Sequence, residues 1–229
     1  IFSSIITLSL CFLFFESIAL DNINKNKKTI INSVESHKER LIEISDNIWE
    51  AAEPALLEFK SSKYLSDYAE ENGFRVTLGV ADIPTAFVAE YGSGRPIIGI
   101  MGEFDANPGI SQKKQPIKEP LIKGAAGHGC GHNLFGTASL GAAIAIKEMI
   151  ESGEISGTVR FYGTPAEETI FAKVWMVRAG LFDDLDVCMD WHPGDEIEAS
   201  TQSSKALVDF RLRFYGDAAH ASGDPWNGN

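Results

Sequence analysis

The chain has 229 residues, of which 44% are hydrophobic and 23% charged, a length and composition typical of one large soluble domain. Its formal net charge is −12, and the acidic residues are spread along the chain. Because phosphate binding needs basic patches, this charge excludes nucleic acid as an expected partner.

The first twenty residues differ from the rest of the chain. Ile1–Leu20 is almost wholly apolar, carries Glu16 as its only charge, and ends on the small residues Ser17-Ile18-Ala19. This pattern predicts a clipped signal peptide (residues 1–20) and export, either to the periplasm or as a secreted protein. A membrane anchor is the alternative, because the apolar run is nearly long enough to span a bilayer.

Helices and strands alternate from residue 30 onward. Apolar residues at helical spacing predict helices at 30–52 and 61–72, the second of which ends at Gly73. A helix at 134–150 is apolar on nearly every side and should therefore be buried, and a shorter helix is expected at 171–178. Strands are predicted at 74–80, 86–91, 96–101, 157–163 and 186–190. This alternation predicts an α/β sheet with helices on both faces.

A domain boundary is expected near Ser200. The segment Ala206–Tyr215 alternates apolar and polar residues, which predicts a half-exposed strand, unlike the buried strands before it. We therefore assign residues 21–200 to a first domain and 201–229 to the start of a second. The chain stops at Asn229 inside a Gly/Pro-rich segment, which leads us to expect a fragment.

Polar side chains follow three of the predicted strands. Glu103 and Asp105 come after one, Glu167 and Glu168 after another, and His192 after a third. Ligands of open α/β sheets bind beyond the carboxyl ends of strands, so these side chains should converge on one cleft.

The segment Gly127–Asn133 is the strongest single motif. It places Cys130 and His132 two residues apart among glycines, and a thiolate with an imidazole suits zinc and similar ions. The helix that follows should stabilise a thiolate through its N-terminal dipole. A plain glycine-rich turn is the alternative for this motif alone.

Two further motifs favour a metal site. In the pair Glu167-Glu168, one carboxylate can bind metal while the other transfers protons, although an acidic surface turn would have the same sequence. His192 lies between Trp191 and Pro193, where packing is the alternative to metal ligation.

Four motifs occur in a fixed order along the chain: Gly127–Asn133, Thr164–Glu168, Asp190–Pro193, and Ala218–Ala221 with Pro225-Trp226. Together they resemble the aminoacylase and carboxypeptidase-like metallohydrolases. Within that group, the chain is most similar to the p-aminobenzoyl-glutamate hydrolase and N-acyl-amino-acid amidohydrolase branch. The resemblance covers about residues 30–229.

The resemblance implies a mixed-sheet α/β catalytic domain with two divalent metal ions, interrupted by an α+β lid through which a homodimer forms. The expected metals are zinc or manganese, with cobalt as a further option, and the expected substrate is an N-acyl amino acid. Metal ligands are implied at Cys130, His132, Glu168 and His192. Glu167 matches the general base of the family, and Asp105 matches the acidic residue that supports the site. His220 matches a lid residue that reaches the neighbouring subunit's site.

The family pattern also places a last metal-binding histidine beyond Asn229 and most of the lid outside this chain. Two alternatives to an amidohydrolase therefore stay open at this point. One is a non-catalytic metal-binding fragment. The other is a hydrolase that uses Cys130 as nucleophile with His132 as its base, which would leave Glu168 and His192 without a role.

Overall fold

The computed structural model of the protein describes residues 2–197, 199, 206, 208, 210, 212–213, 215–217, 219–220 and 222–228. The chain divides into two compact units, Ile1–Pro193 and Gly194–Asn229. Ser200, near which we placed the domain boundary, lies outside the described residues. The domain limits 1–20, 21–200 and 201–229 therefore stay predictions.

A five-stranded mixed sheet forms the centre of the first unit. Its strands are β1 (Arg75–Leu78), β2 (Phe87–Ser93), β3 (Ile97–Gly102), β4 (Gly157–Gly163) and β5 (Val187–Met189). They lie in the order β1-β2-β4-β3-β5. The pairs β1–β2 and β2–β4 are antiparallel, whereas β3 pairs in parallel with both β4 and β5. The predicted α/β class with a mixed sheet is confirmed.

Three helices lie on one side of the sheet: α1 (Phe2–Ala51), α2 (Phe59–Glu71) and α3 (His132–Glu151). The helices α2 and α3 pack on the strands, and α1 packs on α2 and α3. The helix α3 packs against α1, β3 and β4 and buries most of its residues, as its all-round apolar pattern predicted. The core on this face contains Ile44, Ile48, Leu65, Phe87, Phe104, Leu140, Ile144, Val159 and Phe161.

Two short helices, α4 (Glu167–Ile170) and α5 (Ala172–Arg178), follow β4. A second core packs Ala172 and Met176 of α5 against Tyr162 of β4 and against Ile83. Helical elements therefore contribute to cores on both faces of the sheet. Because β3, β4 and β5 run in parallel, their carboxyl ends meet at one edge, and this edge carries the candidate site.

The first helix is longer than its apolar pattern predicted. It runs without a break through the polar stretch 21–28, which contains neither Gly nor Pro to interrupt it. Of the predicted apolar stripe, Leu41, Ile44 and Ile48 are buried, whereas Val34 is 37% exposed. Within the described part of the chain, no helix is both long and apolar enough to cross a membrane.

Two strand predictions differ from the structure. We expected β5 to be buried, but Val187 and Met189 are 47% and 45% exposed. Among the described residues β5 pairs with β3 alone, so it lies at the edge of the sheet. The described residues of Ala206–Tyr215 are not in a strand. Alternation alone cannot form a strand, because a strand also needs a hydrogen-bonded neighbour.

Candidate metal centre

The carboxyl ends of three parallel strands bring the predicted site residues together, as expected. Glu103 and Asp105 follow β3, the pair Glu167-Glu168 begins α4 after β4, and His192 follows β5. The glutamate pair lies in a helical turn, the first residues of α4. All of these side chains surround His132, the fully buried first residue of α3.

The loop between β3 and α3 is shaped by Asn107. Its Oδ1 accepts hydrogen bonds from the main-chain N–H groups of Gly129 and Cys130, at 3.0 and 3.1 Å. Gly131 then has a φ of 73°, a left-handed conformation that favours glycine, immediately before α3 begins. These contacts turn Cys130 toward the same edge of the sheet as His132.

The two ring nitrogens of His132 have different environments. Nδ1 lies 3.0 Å from Oδ1 of Asp105. Nε2 lies 2.9 Å from Oε2 of Glu103, 3.7 Å from Oε1 of Glu168 and 3.4 Å from Nε2 of His192. Asp105 also accepts a hydrogen bond from the main-chain N–H of Glu168 through its Oδ2, at 2.9 Å. The carboxylate of Asp105 therefore orients the ring of His132 and also the turn that carries Glu168. Both His132 and Glu168 are predicted metal ligands.

These residues fit a divalent metal ion. Two groups of three residues could each hold an ion, because within each group one ligand atom per residue lies within 4.8 Å of the others. One group is Cys130, His132 and His192, and the other is Glu103, His132 and Glu167. Within the described chain, Oε2 of Glu103 and Oε1 of Glu168 are buried and accept no hydrogen bond. Buried polar atoms without partners are rare in folded proteins, and a thiolate with imidazoles and carboxylates is a donor set typical of zinc.

The charges at the site also favour a cation. Burial disfavours protonation of His132, but the contacts with Asp105 and Glu103 outweigh burial and raise the pKa of this imidazole to about 10. Burial is likewise the largest effect on Glu167 and, together with Glu103, raises the pKa of its carboxyl group. The carboxylates around His132 thus create a strongly negative environment, which a bound cation would relieve.

The carboxylates around the site oppose the expected thiolate form of Cys130. We expected the N-terminus of α3 to stabilise a thiolate. Instead the carboxyl group of Glu168, followed by burial, raises the pKa of the Cys130 thiol, and only Asn107 lowers it.

The structure also describes His128 and His220. His128 contacts the carbonyl oxygen of Ile48 through Nε2 at 3.1 Å, and burial lowers the pKa of His128 to about 4. It thus holds the loop against α1, and we assigned it no ligand role. His220 lies in the second compact unit, where its Nδ1 accepts a hydrogen bond from the main-chain N–H of Gly223 at 3.0 Å. The role of His220 at the neighbouring subunit's site stays a prediction.

The sequence placed Glu103 in the cleft without a role, and it did not indicate Lys173 or Glu58. Glu103 follows β3 as Asp105 does, so its position at a strand end was the available signal. Lys173 on α5 donates a hydrogen bond to Oε1 of Glu103. Glu58 is fully buried, and its Oε1 accepts a hydrogen bond from the main-chain N–H of Ala166, at 2.9 Å. Neither Lys173 nor Glu58 lies in a motif that the sequence alone would single out.

The fold and the site together define an α/β chain with a candidate metal centre at the carboxyl edge of its sheet. The sequence pattern described as Peptidase family M20/M25/M40 matches residues 99–221, more than half of the chain. The chain therefore belongs to this family.

Individual relatives agree with this family. The chain is 43% identical over 201 residues to one of the subunits of p-aminobenzoyl-glutamate hydrolase from Escherichia coli, in a match that covers 86% of this chain and 41% of that protein. It is 28% identical over 191 residues to an N-acetylcysteine deacetylase of Bacillus subtilis, covering 80% of this chain and 49% of the relative.

A solved structure is similar as well. A dinuclear metal-binding peptidase of the M20 family from Bacillus subtilis superposes with a TM-score of 0.58 and 26% sequence identity, covering 67% of this chain and 42% of that one. The chain spans less than half the length of each of these three relatives.

Proposed function

We propose that the protein is a metal-dependent amidohydrolase, which hydrolyses the amide bond between an acyl or aryl-acyl group and an amino acid. The observation that carries this proposal is the arrangement around Nε2 of His132, where Glu103, Glu168 and His192 all approach within 4 Å. The names of the relatives, a p-aminobenzoyl-glutamate hydrolase and an N-acetylcysteine deacetylase, support amides of this kind as substrates.

Cys130, His132, Glu168 and His192 are the residues that would hold metal in this proposal. Two divalent ions are expected, zinc or manganese, with cobalt as a further option. Such ions supply Lewis acidity, which polarises a carbonyl group and lowers the pKa of water. Asp105 keeps the ring of His132 oriented through Nδ1, so that Nε2 faces the centre.

Glu167 is the proposed general base. Its carboxylate would accept a proton from the attacking water and later give that proton to the nitrogen of the leaving amine, when the C–N bond breaks. Its raised pKa, caused by burial and by Glu103, brings the carboxyl group closer to the range in which a group can both accept and donate a proton near neutral pH.

We assign a supporting role to His220 in a homodimer formed through the lid. Because Nδ1 of His220 accepts the N–H of Gly223, the neutral ring carries its proton on Nε2. A donor of this kind can stabilise the oxyanion that forms from the substrate carbonyl. The Escherichia coli relative is named as one subunit of its hydrolase. Pairing with a different chain is therefore the alternative to a homodimer, and a measurement of the subunit composition distinguishes the two.

A cysteine-nucleophile hydrolase is supported less well by the same geometry. An activated cysteine needs a depressed pKa, whereas Glu168 and burial raise the pKa of the Cys130 thiol. His132, its candidate base, is oriented by Asp105 through Nδ1.

Export is a separate proposal, supported by the apolar segment Ile1–Leu20 and the small residues before its end. Fractionation of cells that produce the protein, with N-terminal sequencing of the mature form, tests it. A processed N-terminus near Leu20 in the exported fraction supports export. An unprocessed protein in the membrane fraction favours the anchor, and an unprocessed cytosolic protein contradicts both.

The catalytic proposal is tested with the protein expressed from its complete open reading frame. Release of the free amine from p-aminobenzoyl-glutamate and from a panel of N-acetyl amino acids would be followed by chromatography, before and after chelation and metal return. We expect hydrolysis that EDTA abolishes and zinc or manganese restores. Stoichiometric metal without hydrolysis of any substrate would favour a non-catalytic metal-binding protein, and chelator-resistant hydrolysis would favour the cysteine mechanism.

A further inference from the structure

Glu103 is the most deeply buried carboxylate that faces Nε2 of His132. Its side chain is 7% exposed, against 14% for Glu168, and it lies directly after β3 at the carboxyl edge of the sheet. Burial of a carboxylate is costly unless both oxygens have partners. The partners of its two oxygens therefore indicate what this residue does.

The two oxygens of Glu103 are used differently. Lys173 donates a hydrogen bond to Oε1. Oε2 is buried and accepts no hydrogen bond from any described residue, although Nε2 of His132 lies only 2.9 Å away. Lys173 accounts for the position of Oε1, whereas Oε2 lies against Nε2 of His132, the nitrogen that Glu168 and His192 also face.

Glu103 belongs to a group of residues that could hold an ion. It lies together with His132 and Glu167 in a set whose ligand atoms are all within 4.8 Å of one another. Cys130 and His192 form the other set around the same histidine. Both sets contain His132, so Glu103 lies beside the same imidazole as the predicted ligands Cys130 and His192.

We infer that Glu103 is a further ligand of the metal ion at His132, binding through Oε2 while Lys173 holds Oε1. This inference rests on the proposed metal-dependent function and adds a residue to its ligand set. The hydrogen bond from Lys173 restricts Glu103 to one free oxygen, which favours binding through a single oxygen over bidentate binding. The positive charge of Lys173 also offsets part of the negative charge gathered at the site.

The two residues of the pair should respond differently to substitution. In the protein from the complete reading frame, Glu103→Gln should weaken affinity for Zn²⁺ or Mn²⁺ by roughly 10- to 100-fold or more, measured by competition with a chromogenic chelator. Lys173→Met keeps the carboxylate and removes a nearby positive charge, so its metal affinity should be unchanged or higher. The absorption bands of the Co²⁺-loaded protein should shift in Glu103→Gln, because a ligand is lost, and stay in place in Lys173→Met.

The double variant Glu103→Gln/Lys173→Met guards against misfolding, because it leaves no unpaired buried charge. It should show the same loss of affinity and the same spectral shift as Glu103→Gln. Wild-type affinity in both Glu103 variants would overturn the inference. Equal loss in Glu103→Gln and Lys173→Met, with an unshifted Co²⁺ spectrum, would also overturn it and assign the pair a structural role. If the wild-type protein itself binds no metal, the proposed function fails rather than this inference alone.

Discussion

Asp105 connects two parts of the site that are far apart in the sequence. Its Oδ2 accepts the main-chain N–H of Glu168 at 2.9 Å, and its Oδ1 lies 3.0 Å from Nδ1 of His132. The residue is 1% exposed, so water cannot easily replace either contact. Asp105 thus fixes both the ring orientation of one predicted ligand and the position of another.

Asp105→Asn should therefore weaken metal binding while the chain still folds. The amide oxygen of the asparagine would face the N–H of Glu168, which turns its NH₂ toward Nδ1 of His132. That donor would move the imidazole proton to Nε2, the nitrogen proposed to bind metal. We expect affinity to fall by about 10- to 100-fold, measured by chelator competition. Asp67→Asn, at an exposed ion pair on α2, is the matched control. Unchanged affinity in Asp105→Asn would remove this role.

The two neighbouring carboxylates should separate into a base and a ligand. Glu167→Gln should keep its metal and lose roughly 10²-fold or more in kcat, the usual contribution of a general base. Glu168→Gln should lose metal affinity as well, because its buried Oε1 faces Nε2 of His132 at 3.7 Å. Metal analysis and steady-state kinetics on both variants check this. Equal metal loss in the two variants, or near-normal turnover in Glu167→Gln, contradicts the division of roles.

Cys130 should bind metal as a thiolate. The wild-type protein is expected to purify with about two equivalents of zinc, manganese or cobalt per chain, and Cys130→Ser should lose at least one of them. Cys188→Ser, which changes the free cysteine of β5, is the control and should keep the wild-type metal content. Unchanged stoichiometry in Cys130→Ser would show that the ligand assignment is wrong.

The buried carboxyl group of Glu58 should make stability depend on pH. Burial raises the pKa of Glu58 from 4.5 to about 7, despite hydrogen bonds from Thr85 and Ala166. A raised pKa means that the folded state favours the protonated form, so wild type should lose stability as the pH rises from about 5 through 7. Glu58→Gln has no such ionisation, so its stability relative to wild type should improve over this range by on the order of 2 kcal/mol.

Urea unfolding of both proteins at pH 5.5 and pH 8 measures this difference. Glu70→Gln, on the exposed side of α2, serves as the control and should follow wild type at both values. A relative stability of Glu58→Gln that does not change with pH would mean that Glu58 keeps an ordinary pKa in the folded protein.

The convergence at the carboxyl edge of the sheet could be predicted because it depends on local patterns. Each strand end was visible as the end of an apolar run, and the structure places Glu103, Asp105 and His192 directly after such ends. Parallel pairing of β3 with β4 and β5 then brings these residues together. The motif around Cys130 and His132 was equally visible, since the glycines mark where the chain must turn.

Contacts between distant segments could not be predicted in this way. Glu58 and Ala166 are 108 positions apart, and nothing in either local sequence indicates that a buried carboxylate anchors the turn before Glu167. The pairing of Lys173 with Glu103 is hidden for the same reason. The exposure of β5 depends on which strands lie beside it, and the apolar pattern of a single strand does not contain that information.

The most demanding prediction concerns His220. We expect His220→Ala to lower kcat by about 10²- to 10³-fold, the usual cost of one oxyanion donor, with little change in metal content. A histidine that only shapes its own turn would have a smaller effect, because the described hydrogen bonds of its side chain are with Ser222 and Gly223. The rate alone does not show in which subunit the residue acts, so a complementation experiment is needed.

In that experiment, full-length Glu167→Gln subunits are mixed with full-length His220→Ala subunits, each nearly inactive alone. If His220 serves the neighbouring subunit's site, one site of each mixed dimer combines an intact Glu167 with an intact His220 from the other chain. Activity should then rise toward half of the wild-type value per mixed dimer. Subunit exchange must be verified independently, for example by differential labelling. No recovery after verified exchange would show that His220 acts within its own chain or has no catalytic role.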